Sequence, residues 1–215
     1  MPRLSRTTPV HKAEMQQLKS SITLSRRGVL AIAAAAVVPT VIGLHAEGTL
    51  RVAAAPADPV VIHDPHVVIV KSKRIAYLLD GDRVVRCYDI DLGFAPVGQK
   101  RTGHDGRTPE GAFRVVSINP ASGYGRFVGL NYPDRPAVQR GVLEGLISAG
   151  DAAGMIEALE AGRCPDWRTP LGGGIGIHGG GRGVDWTAGC VAVSDEAVEE
   201  LFRVLRVGDT VEILP

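Results

Sequence analysis

The amino-acid sequence predicts a mainly β domain of the α+β class, sandwich-like in architecture, with an inserted pair of helices and one helix near the C-terminus. Twenty-seven glycines and fourteen prolines in 215 residues provide many turns between short elements. Short apolar runs flank turn sequences such as Asp80-Gly81-Asp82, which is a strong hairpin signal. The few helical patterns do not alternate regularly with strands, which argues against a doubly wound parallel sheet.

The first part of the domain carries three predicted strands, separated by two polar turns. Each is an apolar run rich in β-branched residues and bounded by charged or glycine-containing turns. The strands are residues 67–70, 74–79 and 84–92. Cys87 lies in the middle of the third strand, where a packed structural thiol is expected.

A long polar loop over residues 93–111 follows, with five glycines and two prolines. A loop of this length in a compact domain is usually functional or mobile. His104 and Asp105 could serve as metal ligands, but no cluster of partners accompanies them, so they are interpreted as solvated loop residues. Strands are predicted again at 112–118 and 127–132.

Helical spacing of apolar residues appears in three segments after these strands. The first spans 135–147, and the second runs from Asp151, the expected N-cap, to Ala161. Ser194 is expected to cap the third helix, and a last strand is predicted at 210–214. The apolar stripe of the third helix consists of Val198, Leu201, Phe202 and Leu205.

The N-terminal residues 1–57 have the plan of an export signal followed by a linker. The pair Arg26-Arg27 precedes an apolar run over 28–44, which is similar to a twin-arginine signal. The sequence thus predicts export to the periplasm or cell envelope, with residues 58–215 as the folded domain. Two other interpretations are an uncleaved anchor that contacts the membrane, and a chance arginine pair before a buried helix.

The charge distribution excludes some partners. Residues 1–57 carry seven basic and two acidic side chains, a net charge of +5, which leaves −4 on the rest of a chain whose net charge is +1. A mildly acidic domain has no electrostatic footprint for nucleic acid. Three cysteines without a Cys-x-x-Cys pair form neither a disulfide framework nor a zinc motif, so no zinc site is expected.

One thiol and one imidazole carry the chemistry. His178 and Cys190 are twelve residues apart, each next to alternating apolar residues, so both are expected at strand ends facing one cleft. A nearby base could hold the thiol as a thiolate, and Gly189 could let backbone N–H groups face an oxyanion. A buried structural cysteine, a polar loop histidine and a nucleotide-binding loop remain alternatives. The last depends on a weak G-x-G-x-x-G match at 174–179, which no predicted helix follows.

The domain resembles the catalytic domain of the L,D-transpeptidases, also called the YkuD family, over about residues 66–214. No single motif is specific to this family, but the ordered set of motifs is. The motifs are Leu92-Gly93, Arg107-Thr-Pro-Glu-Gly111, Asn131-Tyr-Pro133, Leu171-Gly-Gly173, Ile177-His-Gly179 and Thr187-Ala-Gly-Cys190. The resemblance implies an L,D-transpeptidase fold, with peptidoglycan stem peptides as partners and no metal or cofactor.

The resemblance also implies roles for individual residues. Cys190 would form a thioester acyl-enzyme, His178 would be its base, and the Gly179 carbonyl would orient His178. The site loop would comprise Gly189, Thr187, Asp185 and Trp186, with Thr187 holding the loop by a hydrogen bond. Tyr132 and Arg107 would bind substrate.

The acceptor decides which reaction is completed. An amine of a second stem gives a 3→3 cross-link, and water gives a carboxypeptidase. Ala188 and Ala192 stand where the family usually has His and Arg or Asn, and with Asp185-Trp186 they keep the hydrolase as an alternative. A non-catalytic wall-binding module is a third interpretation, although binding alone needs neither His178 nor Cys190.

Overall fold

The computed structural model describes residues 61–215, and the predicted export signal and linker lie outside this range. Within it, none of the helices has the length and apolar character needed to cross a membrane. Eight strands and three helices form the domain. The strands are β1 (Pro65–Val70), β2 (Ile75–Asp80), β3 (Arg83–Asp89), β4 (Gly111–Ser122), β5 (Gly125–Leu130), β6 (Gly176–His178), β7 (Val191–Ala192) and β8 (Thr210–Leu214). The helices are α1 (Arg135–Leu143), α2 (Ala149–Glu160) and α3 (Asp195–Val204).

The strands form one sheet in the order β3-β2-β1-β8-β4-β5-β6-β7. The pairs β1–β8 and β6–β7 are parallel, and the remaining neighbours are antiparallel. The first half of β4 pairs with β8 and the second half with β5, so this long strand belongs to both parts of the sheet. Isolated bridges join Asp91 to Ala192 and Gly93 to Thr187, so the segment after β3 meets β7 and the sheet curls back on itself. The predicted mainly β fold with an inserted helical pair is confirmed.

One apolar core fills the inside of the curled sheet. Val67, Ile177 and Val191 have no exposed surface, and they come from strands in both parts of the sheet. Leu201 of α3 packs into the same core, because the apolar stripe of this amphipathic helix faces the sheet. The Ser194 hydroxyl accepts a hydrogen bond from the Ala197 N–H, which confirms the predicted cap.

Each inserted helix differs from the prediction at one end. Helix α1 ends at Leu143 rather than near residue 147, and Gly145 with φ +69° turns the chain beyond it. The N-cap of α2 is Ser148 rather than Asp151. Asp151 is the third helical residue, and its carboxylate returns to the Ser148 N–H in a capping box.

Two strand predictions also need correction. Strand β4 continues through Ser122, where a turn was expected, and its pairing with β5 shifts register around Pro120. Cys87 is exposed rather than packed, because β3 is the edge strand of the sheet. Position within a strand does not reveal whether that strand lies at the centre or the edge, which explains this error.

Buried charges hold the long loop over residues 93–111 in place. The Lys71 ammonium donates to the carbonyls of Gly98 and Thr108 and forms a 2.8 Å ion pair with Glu110. The Asp105 carboxylate is mostly buried and accepts from three backbone N–H groups of the loop, at Arg101, Thr102 and Arg107. His104 is exposed as expected, but interpreting Asp105 as a solvated residue is wrong.

Candidate active site

His178 and Cys190 lie on neighbouring parallel strands. His178 ends β6 and is paired with Ala192, and Cys190 directly precedes β7. Extending the register by one residue places Cys190 opposite Gly176, so His178 and Cys190 share one face of the sheet, offset by two residues, or about 7 Å. The strand-end placement predicted from the alternating apolar residues is confirmed. No helix follows the 174–179 glycine motif, which leads into β6 instead.

The His178 ring is fixed in one tautomer. Its Nδ1 lies 2.6 Å from the Gly179 carbonyl oxygen, and a carbonyl can only accept, so Nδ1 carries the proton and Nε2 is the free base. This is the contact expected of Gly179. Burial lowers the pKa of His178, and the bond to Gly179 offsets this only in part. The imidazole is therefore neutral and able to accept a proton at neutral pH.

Aromatic side chains surround this imidazole. Tyr124 stacks on it with ring centroids 4.7 Å apart, and Trp186 meets it edge-on at 5.8 Å. The guanidinium of Arg182 lies 4.2 Å from the Trp186 ring centre. The Nε1 of Trp186 is buried and has no hydrogen-bond partner among residues 61–215. Together these rings limit the rotation of His178 and exclude water from one side of it.

The Cys190 thiol lies in a largely desolvated position. Its Sγ donates to the Gly174 carbonyl oxygen at 3.4 Å. Burial raises the pKa of Cys190, while a backbone hydrogen bond from Gly176 and the positive charge of Lys100 act in the opposite direction. The thiol is therefore protonated at rest, and forming the thiolate requires a base.

Thr187 and Gly189 shape the turn before Cys190. The buried Thr187 hydroxyl donates to the Cys190 carbonyl at 2.7 Å and accepts from the Gly189 N–H at 3.1 Å. Thr187 therefore holds the loop as expected. The Gly189 N–H is engaged in this bond and is not free to face an oxyanion. The Cys190 N–H donates to no acceptor within the part of the chain that the structure describes, so it is available for that role.

Asp185 anchors the same loop to the start of β2. Its carboxylate binds Arg74 in a bidentate pair, with a shortest contact of 2.6 Å, and accepts from the Leu92 N–H at 2.8 Å. The Leu92 carbonyl in turn accepts from the N–H groups of Trp186 and Thr187. Asp185 thus positions the turn that carries Cys190 and has a mainly structural role.

Replacing Asp185 by asparagine should loosen this turn. One oxygen acceptor and the negative charge opposite Arg74 are lost, and we expect the free energy of unfolding to fall by about 1–3 kcal/mol. Urea unfolding measures this change. The matched control is Asp166→Asn, which removes an ion pair with Arg168 that is mostly exposed and should change stability little. Equal unfolding midpoints for both variants would contradict the anchoring role.

The two residues expected to bind substrate have different environments. Tyr132 is 1% exposed and packs edge-on against Phe113 in the core, so its binding of substrate stays a prediction. Burial raises the pKa of Tyr132 well above its usual range. Arg107 is half-buried and its guanidinium lies 3.4 Å from the Gln99 carbonyl oxygen, so its binding of substrate stays a prediction.

Three residues of the site could not be assigned to it from the sequence, because nothing in the neighbouring residues indicates that they lie near His178 or Cys190. Lys100 is 1% exposed and its ammonium reaches the Ala188 carbonyl beside the nucleophile. Tyr124 occupies a hairpin turn. Asp91 pairs with Ala192 through its backbone, and its buried carboxylate accepts from the Arg182 N–H at 2.6 Å. Within residues 61–215, no group of three or more His, Cys, Asp or Glu side chains is placed to hold a metal ion.

Comparisons with known proteins found similar solved structures and one matching family model. Among solved structures, the chain is similar to an L,D-transpeptidase from Xylanimonas cellulosilytica, with 18% identity, a TM-score of 0.42, and coverage of 74% of this chain and 64% of that one. It is also similar to the helical cell shape determining protein Pgp2 from Campylobacter jejuni, with 21% identity, a TM-score of 0.47, and coverage of 70% and 47%. Bd1075 from Bdellovibrio bacteriovorus matches with 17% identity, a TM-score of 0.47, and coverage of 71% and 48%.

The chain thus spans between about half and about two thirds of the length of these three structures. A search of curated proteins found no match. The family comparison extends over most of the domain, because the model of the L,D-transpeptidase catalytic domain, YkuD, matches residues 64–213. This range includes every strand except the last residue of β8, all three helices, and both His178 and Cys190. The chain therefore belongs to the YkuD family of L,D-transpeptidase catalytic domains.

Proposed function

We propose that this protein is an exported cysteine acyltransferase that acts on peptidoglycan stem peptides. The observation that carries the proposal is the state of His178: Nδ1 donates to Gly179, and Nε2 remains a base on the sheet face that carries the Cys190 thiol. A neutral imidazole and a thiol in this relation are suited to nucleophilic acyl transfer. Membership of the family supports peptidoglycan as the substrate class.

The proposed first step forms a thioester. His178 Nε2 accepts the thiol proton, and Cys190 Sγ attacks the carbonyl between a meso-diaminopimelate or similar residue and the terminal D-alanine. The Cys190 N–H stabilises the oxyanion. The carbon–nitrogen bond then breaks as His178 returns the proton to the leaving D-alanine amine.

The second step releases the acyl group. A side-chain amine of another stem attacks the thioester, the carbon–sulfur bond breaks, and a 3→3 cross-link results with the thiol restored. A second candidate, an L,D-carboxypeptidase or hydrolase, uses water instead. It is favoured by Ala188 and Ala192, since neither methyl group can donate a hydrogen bond to an acceptor stem, and Ala192 has no exposed surface.

The cell envelope is the proposed location. The arginine pair and apolar run within residues 1–57 support export by the twin-arginine route, and peptidoglycan lies outside the cytoplasm. If the signal is not cleaved, this segment would also contact the membrane.

Product analysis with synthetic stems tests the proposed function. The protein is incubated with a tetrapeptide stem, with and without a second stem that offers a free side-chain amine, and the products are identified by mass spectrometry. A cross-linked dimer supports the transpeptidase. A tripeptide as the sole product, even with the amine present, supports the hydrolase.

The control for this experiment is Cys164→Ser, which alters an exposed thiol outside the site and should leave the products unchanged. Recovery of intact tetrapeptide from the unmodified protein, under conditions where the protein is folded, would contradict both candidates.

A further inference from the structure

A buried lysine lies next to the nucleophile. Lys100 is 1% exposed, although it belongs to a polar loop, and its Nζ is 3.0 Å from Asp105 and 3.4 Å from the Ala188 carbonyl oxygen. A methyl group added to Gly189 would come within 3.2 Å of this ammonium. The positive charge therefore lies against the turn that leads into Cys190.

Burying an ammonium is costly, and an ion pair repays that cost only in part. Asp105 is prepared for the pairing: burial alone raises its pKa, but hydrogen bonds from the Arg101 and Arg107 N–H groups, together with the Lys100 ammonium, bring that pKa below its usual value. This carboxylate is thus ionised and holds the ammonium in one place. A hydrophobic side chain could fill the same volume at less cost, so the charge itself needs an explanation.

The chemistry of Cys190 explains why a buried positive charge is present here. The thiol is desolvated, and a desolvated thiolate is unfavourable unless a fixed positive charge compensates it. His178 supplies a base, but it is neutral at rest and becomes positive only after the proton has moved. A permanent charge against the turn that carries the sulfur lowers the energy of the thiolate throughout the transfer.

We propose that Lys100, held by Asp105, is the positioning residue of the nucleophile: its ammonium binds the Ala188 carbonyl, fixes the turn at Gly189 and stabilises the Cys190 thiolate. This inference rests on the proposed function, because it assigns a role at the same thiol. Besides Lys100 and Asp105, four charged or titratable groups surround this part of the site. They are His178 on β6, the Arg107 side chain in the loop, Tyr132, and Arg140 of α1, which donates to the Lys100 carbonyl.

The test is the pH profile of Cys190 alkylation by iodoacetamide in the full chain, read peptide by peptide with mass spectrometry. In Lys100→Met the uncharged side chain has a similar length, so we expect the apparent pKa of the thiol to rise, and alkylation at pH 7 to slow about tenfold. The two proteins should converge at a pH above both pKa values. Cys87 and Cys164 are exposed and serve as internal references in every sample.

Lys71→Met is the matched control. Lys71 is also buried, with 2% exposure, and is paired with a carboxylate of the same loop, Glu110, but it does not contact the nucleophile turn. Lys71→Met should lower the free energy of unfolding by about as much as Lys100→Met does. It should leave the alkylation profile of Cys190 unchanged. A folded Lys100→Met protein with the profile of the unmodified chain would overturn the inference, as would equal shifts in both variants.

Asp105→Asn provides a second test if Lys100→Met does not fold. Removing the negative partner releases the ammonium from its position against the Ala188 carbonyl, so we expect the apparent pKa of the Cys190 thiol to rise and alkylation at pH 7 to slow, as in Lys100→Met. A merely structural role leaves the alkylation profile of Cys190 unchanged, and an unchanged profile in folded Asp105→Asn protein would contradict the proposal. Because alkylation needs no stem peptide, a shifted profile without any acyl-enzyme would refute the proposed function and leave this inference standing.

Discussion

Replacing Cys190 by alanine is expected to abolish acyl-enzyme formation. The thiol lies on the sheet face that carries His178, and a methyl group cannot form a thioester. Removing a nucleophile usually lowers the rate by about 10⁴-fold or more. Intact-mass spectrometry measures the effect directly, after incubation with a tetrapeptide stem or with a carbapenem as a trapping acyl donor.

The controls for this experiment are the two remaining cysteines. Cys87 lies on edge strand β3 and Cys164 in the segment after α2, and both thiols are exposed. Alanine at either position should leave the mass adduct unchanged. An adduct that persists in Cys190→Ala, or one that disappears in Cys87→Ala, would show that the nucleophile is elsewhere.

Replacing Gly189 by alanine should have the next largest effect. Its φ is +143°, a backbone conformation that strains any residue with a Cβ by about 1–3 kcal/mol. The added methyl group would lie 2.7 Å from the Arg107 carbonyl oxygen and 3.0 Å from the Ile175 side chain. The Arg107 backbone cannot move away freely, because its N–H is bound to Asp105.

The turn at residue 189 would therefore be displaced, and the Cys190 sulfur with it. A displacement of about 1 Å commonly costs about 100-fold in rate, which is the decrease in acylation that we expect. A time course of acyl-enzyme formation by intact mass measures this decrease, and urea unfolding of the same variant reports the accompanying loss of stability.

Gly183→Ala separates the clash from backbone strain. Gly183 lies in the same segment between His178 and Cys190 and also has a positive φ, +76°, but no atom lies within 4 Å of the added methyl group. It should lose about 1 kcal/mol of stability and retain its acylation rate. If Gly189→Ala acylates as fast as Gly183→Ala, close packing around Gly189 does not position the nucleophile.

The local pattern of residues was sufficient for much of the fold and for the reactive pair. The alternation of apolar residues before His178 and after Cys190 placed both at strand ends, because side-chain direction in a strand has a period of two. Ser194 was recognisable as a cap, since capping depends on a hydroxyl and an N–H only three residues apart. Features of this kind are determined within a few residues of the chain.

Long-range contacts were not accessible in this way. Strand β1 pairs with β8, more than 140 residues later, so the edge position of β3 and the exposure of Cys87 depend on the whole strand order. Tyr132 lies within a family motif, yet packing against Phe113 places it in the core. Tyr124 meets His178 only because the hairpin of β4 and β5 lies beside β6.

The sequence by itself determined the mainly β class and the family, and it singled out Cys190 and His178 as the candidate nucleophile and base. The tertiary structure alone decided what surrounds them: the stacked Tyr124, the Asp185 anchor on Arg74, and the Lys100 ammonium, which is 90 residues from Cys190 along the chain. The physical reason is that a reactive group is a property of one side chain, whereas its pKa and orientation depend on burial and on charges supplied by distant segments.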